Sequence, residues 1–332
     1  MAILAVTHPT LLDLAKATDP DGKIATVVEI LNETNEILDD MVWLTGNLPT
    51  GHRTTIRSGL PDATWRKLYG GVQPNKGQTR QVTDSCGMLE AYAEIDKALA
   101  DLNGNTSEYR TLEDRAHIEG INQSLTSALF FANENTEPEK FTGFAPRYNL
   151  LSAANAENII DAGGTGTDNN SIWLVCWGPN TVHGIVPKGS TAGLKMEDKG
   201  QVTIENIDGA GGRMEAYRTH YRLDAGLSVR DWRHVVRIAN IDKSLRTGDA
   251  SSGADLTDLM VQAIELIPSL GMGRPAFYMS RSMKTFFRRQ QIAKVKNGTL
   301  TMDTLNGKPA LMFDGIPIRR VDKLAADEAR VV

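Results

Sequence analysis

Apolar side chains recur about every 3.6 residues in several stretches of the chain, and this spacing predicts amphipathic helices. We predict helices at 24–42, 88–102, 106–132, 256–267 and 281–296. The third is predicted as one long helix, although Gly120 in its interior costs about 1 kcal/mol relative to alanine. The fourth ends before Pro268, because proline cannot continue a helix.

Shorter apolar runs predict strands at 172–177, 182–186, 235–241, 276–279 and 311–321. The last two runs flank the predicted helix 281–296, so the chain closes with a strand–helix–strand unit whose connector contains Asn306 and Gly307. Residues 189–230 are polar and glycine-rich and carry little periodic signal. Helices and strands mix without a regular βαβ rhythm, which favours an α+β fold.

Segment 46–87 differs from the rest of the chain, since glycine and proline divide it into short pieces. Three of these pieces, at 53–57, 64–69 and 79–83, resemble strands but are too polar for a core. We therefore expect this segment to project from the fold as an extended hairpin.

Charge is unevenly distributed along the chain. Residues 52–80 contain six basic residues and one acidic residue, a net charge of +5, and the remainder of a chain of net charge −5 therefore carries −10. The predicted helix 24–42 is acidic on one face. Charge complementarity favours a contact in which the hairpin of one subunit meets the acidic helix of a neighbour. The candidate contact residues are Arg53, Arg57, Trp65, Arg66, Lys67, Lys76 and Arg80 on the hairpin, and Glu29, Glu33, Glu36, Asp39 and Asp40 on the helix.

Composition narrows the class of protein. A length of 332 residues leaves room for about two domains, and 41% hydrophobic residues for a sizeable core. The net charge of −5 disfavours a nucleic-acid-binding module. No stretch approaches the roughly 20 apolar residues that span a bilayer, and the start of the chain lacks a signal-peptide pattern. We expect no membrane partner.

Cys86 and Cys176 lie far apart and outside any metal or redox motif, so we expect two isolated thiols.

A glycine-rich loop, Gly163–Gly166, raises the alternative of a metal- or nucleotide-dependent enzyme built around residues 163–170. A phosphate-binding loop ends in Gly-Lys-Ser/Thr and leads into a helix, whereas this loop leads into a predicted strand. A plain turn is the favoured interpretation. The six histidines form no HExxH pair, and the sequence contains no Gly-x-Ser-x-Gly motif. We expect no catalytic residue, cofactor or metal.

The order of these segments resembles that of major capsid proteins of tailed bacteriophages with the Hong Kong 97-like fold, most of all those of short-tailed phages. The stretches that carry the resemblance are 47–57, 65–71, 143–148, 236–241 and 315–321. The resemblance implies an N-terminal arm and acidic helix (1–45), an extended basic hairpin loop (46–87), a peripheral domain with a long spine helix (88–150), an axial domain (151–300) and a return to the peripheral domain (301–332).

The resemblance also implies a function. The chain would be a structural protein that self-assembles as hexamers and pentamers into an icosahedral head around double-stranded DNA, which it would contact without sequence specificity. It would be made in the host bacterial cytoplasm and end in the virion, with separate scaffolding, portal and decoration or cement proteins as partners. An encapsulin-type shell of the same fold is the alternative within this class. Some family members crosslink through a Lys–Asn isopeptide bond; Lys67 and Lys76 lie in the hairpin, but no residue match carries this bond over.

Overall fold

A computed structural model of the chain describes residues 35–104, 106–205, 211–243, 253–293, 300–305, 308–324 and 327–332. Contacts divide the described chain into two compact units. The first comprises Met88–Thr126 and Gly193–Asp224, and the second comprises Asn35–Gly87, Ser127–Ala192 and Ala225–Val332.

Helices and strands mix along the described chain. The helices are α1 (Ile37–Asp40), α2 (Lys97–Ala100), α3 (Thr106–Phe131), α4 (Phe144–Arg147), α5 (Leu256–Leu266) and α6 (Arg281–Ala293). The strands are β1 (Trp43–Thr45), β2 (Gly51–Gly59), β3 (Gln78–Asp96), β4 (Ile159–Asp161), β5 (Asn169–Trp177), β6 (Val182–Val186), β7 (Lys195–Glu205), β8 (Arg213–Val229), β9 (Val235–Asp242), β10 (Arg274–Met279), β11 (Leu300–Leu305), β12 (Lys308–Phe313) and β13 (Ile316–Arg320). The predicted α+β class is confirmed.

The second unit is built around β5. This strand pairs antiparallel with β10 and β9 and parallel with β6. Beyond β10 lie β13, which is parallel to it, and then β12 and β11 in antiparallel order. On the side of β6, the short strand β1 adds a parallel pair. The predicted closing unit is confirmed as a parallel strand–helix–strand, β10–α6–β13.

Both faces of β5 are covered, which explains its continuous apolar sequence. Ile172 and Leu174 on one face belong to a core formed with α5 and α6. On the other face, Trp173 packs among Phe130, Phe144 and Tyr148 with ring centroids 5.7–6.1 Å apart. Every residue of β5 is buried, so this strand is the centre of the second unit.

The C-terminal run predicted as one broken strand, 311–321, is two strands. The β12–β13 hairpin turns at Asp314 and Gly315, which have φ values of 50° and 76°. Two successive positive φ values fit a type I′ turn, for which Asp-Gly is a preferred sequence. β11, which pairs with β12, was not predicted.

Residues 88–102, in the first unit, were wrongly predicted as a helix. They continue β3 as far as Asp96, and α2 follows. The reason is a period-two pattern: Ala93 and Ile95 are buried, whereas Met88, Glu90 and Tyr92 are exposed. Such alternation is typical of a half-buried strand.

Two long strands, β7 and β8, form an antiparallel hairpin within residues 189–230, where no element was predicted. β8 also lies beside β3. The core of the first unit is Ile95, Leu99, Ala100 and Tyr109, with Leu112 and Tyr217 packed against it.

Two other predicted helices are confirmed: α3 is one helix through Gly120, and α5 ends before Pro268. α6 is described as far as Ala293. Of the predicted helix 24–42, residues 24–34 lie outside the described residues.

Candidate assembly surface

The predicted hairpin is present as β2 paired with the first part of β3. The register runs from Gly51 opposite Ser85 to Gly59 opposite Gln78. Strands at 53–57 and 79–83 are therefore confirmed. The third predicted strand, 64–69, is wrong, because residues 60–77 form an irregular connection without a strand. We call residues 60–77 the hairpin tip.

The hairpin tip exposes nearly all of its side chains. Trp65 and Tyr69 are 103% and 104% exposed, and Leu60, Leu68 and Val72 are also exposed. Hydrogen bonds within the tip shape it: the Asn75 side-chain amide donates to the Asp62 carbonyl at 2.6 Å, and the Gly70 backbone amide donates to the Lys67 carbonyl at 3.0 Å. No described residue of the subunit covers these side chains, and clustered exposed apolar residues mark interaction sites.

The six basic residues of the hairpin are exposed on the strands and the tip. Arg53 donates to the Thr83 hydroxyl at 3.2 Å. Among the described residues, none of the six forms a salt bridge, so their positive charge is available to a partner. They are Arg53, Arg57, Arg66, Lys67, Lys76 and Arg80.

The root of the hairpin is fixed by buried polar contacts. Asp84 is buried, forms an ion pair with Arg147 at 2.9 Å, and accepts a hydrogen bond from the Ser228 hydroxyl at 2.8 Å. The Asn47 side chain accepts from the Arg53 amide and donates to the Arg53 carbonyl, both at 2.7 Å. These contacts hold the base of the hairpin strands in place, although the tip itself is exposed.

Two histidines also lie at the root. The rings of His52 and His183 meet edge to face with centroids 5.8 Å apart. Burial lowers the pKa of His183 to about 4, and His52 and Arg230 act in the same direction. Burial likewise lowers the pKa of His52, with a further contribution from Arg230. Both rings are neutral at neutral pH.

The sequence gives no sign that the residues of the root lie together. Arg147 and Ser228 lie 63 and 144 positions from Asp84. No local spacing links such distant partners, so only the folded chain brings them together.

The acidic helix offers fewer free carboxylates than its sequence indicates. Asp40 accepts two hydrogen bonds from Arg319, at 2.6 and 2.9 Å, and one from the Tyr278 hydroxyl at 2.9 Å. Glu36 accepts from the Arg320 amide at 3.1 Å. Asp39 is exposed. Glu29 and Glu33 lie outside the described residues.

The glycine-rich loop at 163–170 serves the fold of the second unit. The Gly164 amide donates to the Asn240 carbonyl at 2.8 Å, and the Gly163 amide donates to the Asp161 carboxylate at 2.9 Å. A Cβ on Gly164 would lie 2.4 Å from the Asn240 carbonyl oxygen, so glycine is needed for this close approach. The loop leads into β5 and, as predicted, is a turn.

The remaining chemistry-bearing groups are dispersed. Within the described ranges, no group of three His, Cys, Asp or Glu residues could hold a metal ion. Cys86 is half-buried, and burial raises the pKa of the Cys176 thiol to about 11. No helix in the described part of the chain has the length and hydropathy needed to cross a bilayer.

Comparison with known proteins assigns the chain to a family. The family model of the major capsid protein GP7 matches residues 19–332. A chain in the cryo-EM structure of bacteriophage Epsilon15 is 38% identical, with a TM-score of 0.79 over 100% of this chain and 99% of that chain. No curated protein sequence matches.

More distant structures are also similar. One is the bacteriophage JBD30 capsid, at 9% identity and a TM-score of 0.44 over 96% of this chain and 99% of that chain. Another is the SrpI encapsulin of Synechococcus elongatus, at 12% identity and 0.44 over 71% of this chain and 97% of that chain. Both likenesses are too distant to indicate a function.

The fold is the Hong Kong 97-like capsid fold, and it defines the class as the shell proteins of phage heads. Within that class, the chain belongs to the major capsid protein GP7 family. It is a phage major capsid protein, which assembles into the capsid and is found in the virion. The resemblance predicted from sequence is confirmed.

Proposed function

We propose that the chain assembles as hexamers and pentamers into an icosahedral phage head around double-stranded DNA, and that its hairpin tip lies on a neighbouring copy. The observation that carries the second part is the complete exposure of Trp65 and Tyr69. Large aromatic side chains supply much of the energy of protein interfaces when a partner buries them. Apolar side chains that the described part of the subunit leaves uncovered favour burial by a partner over exposure to solvent.

Charge supports a second copy of the chain as that partner. Residues 52–80 carry +5 and the rest of the chain −10, so copies of one chain attract each other through this segment. Such complementarity sets register and partner choice. Asp39 is a described, exposed carboxylate that could receive the hairpin, whereas Asp40 is already paired within the subunit.

The proposal extends to the partners of a phage head. It includes separate scaffolding, portal and decoration or cement proteins, DNA contacted without sequence specificity, and synthesis in the cytoplasm of a bacterial host. Membership of a phage major capsid family supports this setting. The subunit itself has a structural role and no enzymatic one.

Charge reversal in the hairpin tests the assembly contact. Arg53→Glu with Arg57→Glu should lower the yield of particles at least about tenfold, since like charges across an interface are costly. Both side chains are exposed, so the unfolding midpoint of the unassembled subunit should not move. Particles are counted by negative-stain electron microscopy, and their symmetry is read by cryo-EM.

The matched control reverses two exposed arginines elsewhere, Arg115→Glu with Arg330→Glu. It changes the net charge equally and should assemble like the wild type. Normal particles from the hairpin variant, or equal losses in both variants, would contradict the proposed contact.

A further inference from the structure

Helix α6 carries a second concentration of positive charge. Residues 281–293 contain Arg281, Lys284, Arg288 and Arg289 and no acidic residue. The opposite face of the helix is anchored by Met283, Phe286 and Phe287, all buried in the core of the second unit. The charges therefore stand on a rigid element, and we call these four residues the basic face.

Acidic residues near the basic face are already engaged. Asp322 accepts from Arg281 at 2.8 Å and from Arg320 at 2.6 Å. Asp40 is paired with Arg319 at 2.6 Å. Arg288 and Arg289 are exposed, and neither forms a salt bridge with any described residue. An excess of positive charge remains at this surface.

The surroundings of Lys284 also contain an excess of positive charge. Its ammonium donates to the Ile318 carbonyl at 3.1 Å. Its pKa is lowered, first by burial and then by Arg320, Arg288 and Arg319, while Glu36 opposes the shift. Several cations thus face one lysine with a single opposing acid.

The composition of the basic face favours a nucleic acid over a protein partner. Stable protein interfaces bury large apolar anchors at their centre. The exposed residues of α6 are arginine, serine and threonine, and no large apolar side chain between 281 and 291 is exposed. The hairpin tip has the opposite character. Unpaired arginines without apolar neighbours suit phosphate, whose binding gains free energy from counterion release.

We propose that the basic face of α6, through Arg288 and Arg289, binds the phosphate backbone of double-stranded DNA without reading its sequence. The proposal rests on the proposed packaging of DNA and assigns the contact to a particular surface. In a chain of net charge −5, a small basic area holds DNA weakly and reversibly, since each phosphate contact contributes little by itself.

The test is the salt dependence of DNA binding by full-length, unassembled protein. A fluorescent random-sequence duplex is titrated at salt concentrations from about 50 to about 200 mM. Arg288→Gln with Arg289→Gln should reduce the slope of log affinity against log salt by about 1.8, the value for two lost phosphate contacts. Arg288→Lys with Arg289→Lys keeps both charges and should restore the slope.

Arg115→Gln with Arg330→Gln is the matched control, because it removes two exposed charges elsewhere; its slope should equal that of the wild type. An unchanged slope in the α6 variant overturns the proposal. So does failed particle assembly with undiminished duplex binding, which would place α6 between copies. Particle formation, followed separately by electron microscopy, reports on the capsid function whichever way the DNA experiment ends.

Discussion

Two tryptophans of this subunit occupy opposite environments. Trp173, on the central strand β5, is 0% exposed and lies among three other aromatic rings. Trp65, on the hairpin tip, is 103% exposed. Burying a large apolar side chain is favourable by roughly 1.5–3 kcal/mol, so only the first tryptophan stabilises the isolated subunit.

Under the proposed assembly contact, folding and assembly use separate parts of the chain. The second unit buries its central strand β5 on both faces with side chains of the same subunit. The tip exposes five large apolar residues to solvent, and their exposure does not stabilise a free monomer. A subunit built in this way can fold first and gain further apolar burial only when copies meet.

Exchanging each tryptophan for alanine is the strongest way to break this comparison. Trp173→Ala removes a fully buried ring and should lower the free energy of unfolding by about 3–5 kcal/mol. Trp65→Ala should change it by less than about 0.5 kcal/mol. Both are measured by equilibrium denaturation of the unassembled subunit.

Particle yield should be sensitive to Trp65→Ala, although the stability of the subunit is not. Trp65→Ala, although stable, should form fewer particles, because it loses an anchor that the neighbouring copy is proposed to bury. A subunit with Trp65→Ala that is destabilised as much as Trp173→Ala would show that the tip packs against its own chain. A normal particle yield from Trp65→Ala would show that the tip does not lie in the interface.

A smaller effect comes from two adjacent acids near the C-terminus. Glu328 and its partner Arg237 are both buried, with an N–O distance of 2.6 Å, whereas Asp327 is exposed and lies 3.3 Å from Lys243. Glu328→Gln leaves a buried guanidinium without its counter-charge and should cost about 3 kcal/mol. Asp327→Asn should cost less than about 0.5 kcal/mol, as expected of an exposed pair.

Denaturant midpoints of the two variants, measured at one pH, test whether the buried pair contributes more stability than the exposed pair. Equal small losses would mean that Glu328 contributes no more than a surface charge, and the C-terminal segment would then not be held by a buried pair.

Much of the buried sheet could be predicted from sequence, because continuous burial leaves a continuous apolar run. β5, β6 and β9 were found in this way, and α3 was found from its helical period. The strand end of β3 was missed, although Ala93 and Ile95 alternate with exposed residues, because alanine-rich segments also favour helices. β7 was missed because it is largely polar and exposed, and β8 because charged and polar residues interrupt its apolar positions. Their antiparallel pairing identifies both as strands.

The candidate assembly surface was only partly predictable. Its basic residues and Trp65 stand out in the sequence, since charge and glycine–proline spacing are local features. The pairing of Asp40 with Arg319 joins positions 279 residues apart, so the loss of that carboxylate as a free acid has no local signal. The same holds for His183, whose neighbours at the hairpin root come from distant segments.

The smallest effect concerns that root, where the hairpin leaves the second unit. Burial lowers the pKa of His183 to about 4, against roughly 6.5 in an unfolded chain. The unfolded chain therefore binds more protons between these values, and stability that is present above pH 6.5 is lost as the pH falls towards 4. The loss between neutral pH and about pH 5 is about 2 kcal/mol by linkage. His52 and Arg230 add to this effect and Asp84 opposes it.

His183→Gln should remove this dependence. Equilibrium denaturation at neutral pH and near pH 5 should give a stability difference about 2 kcal/mol smaller in the variant than in the wild type. If instead the two proteins lose the same stability on acidification, His183 is not the titrating group and the root is insensitive to pH through this residue. If the prediction holds, the exposed tip is carried on a root that weakens in mild acid, because protonating His183 places a charge in the buried base of the hairpin.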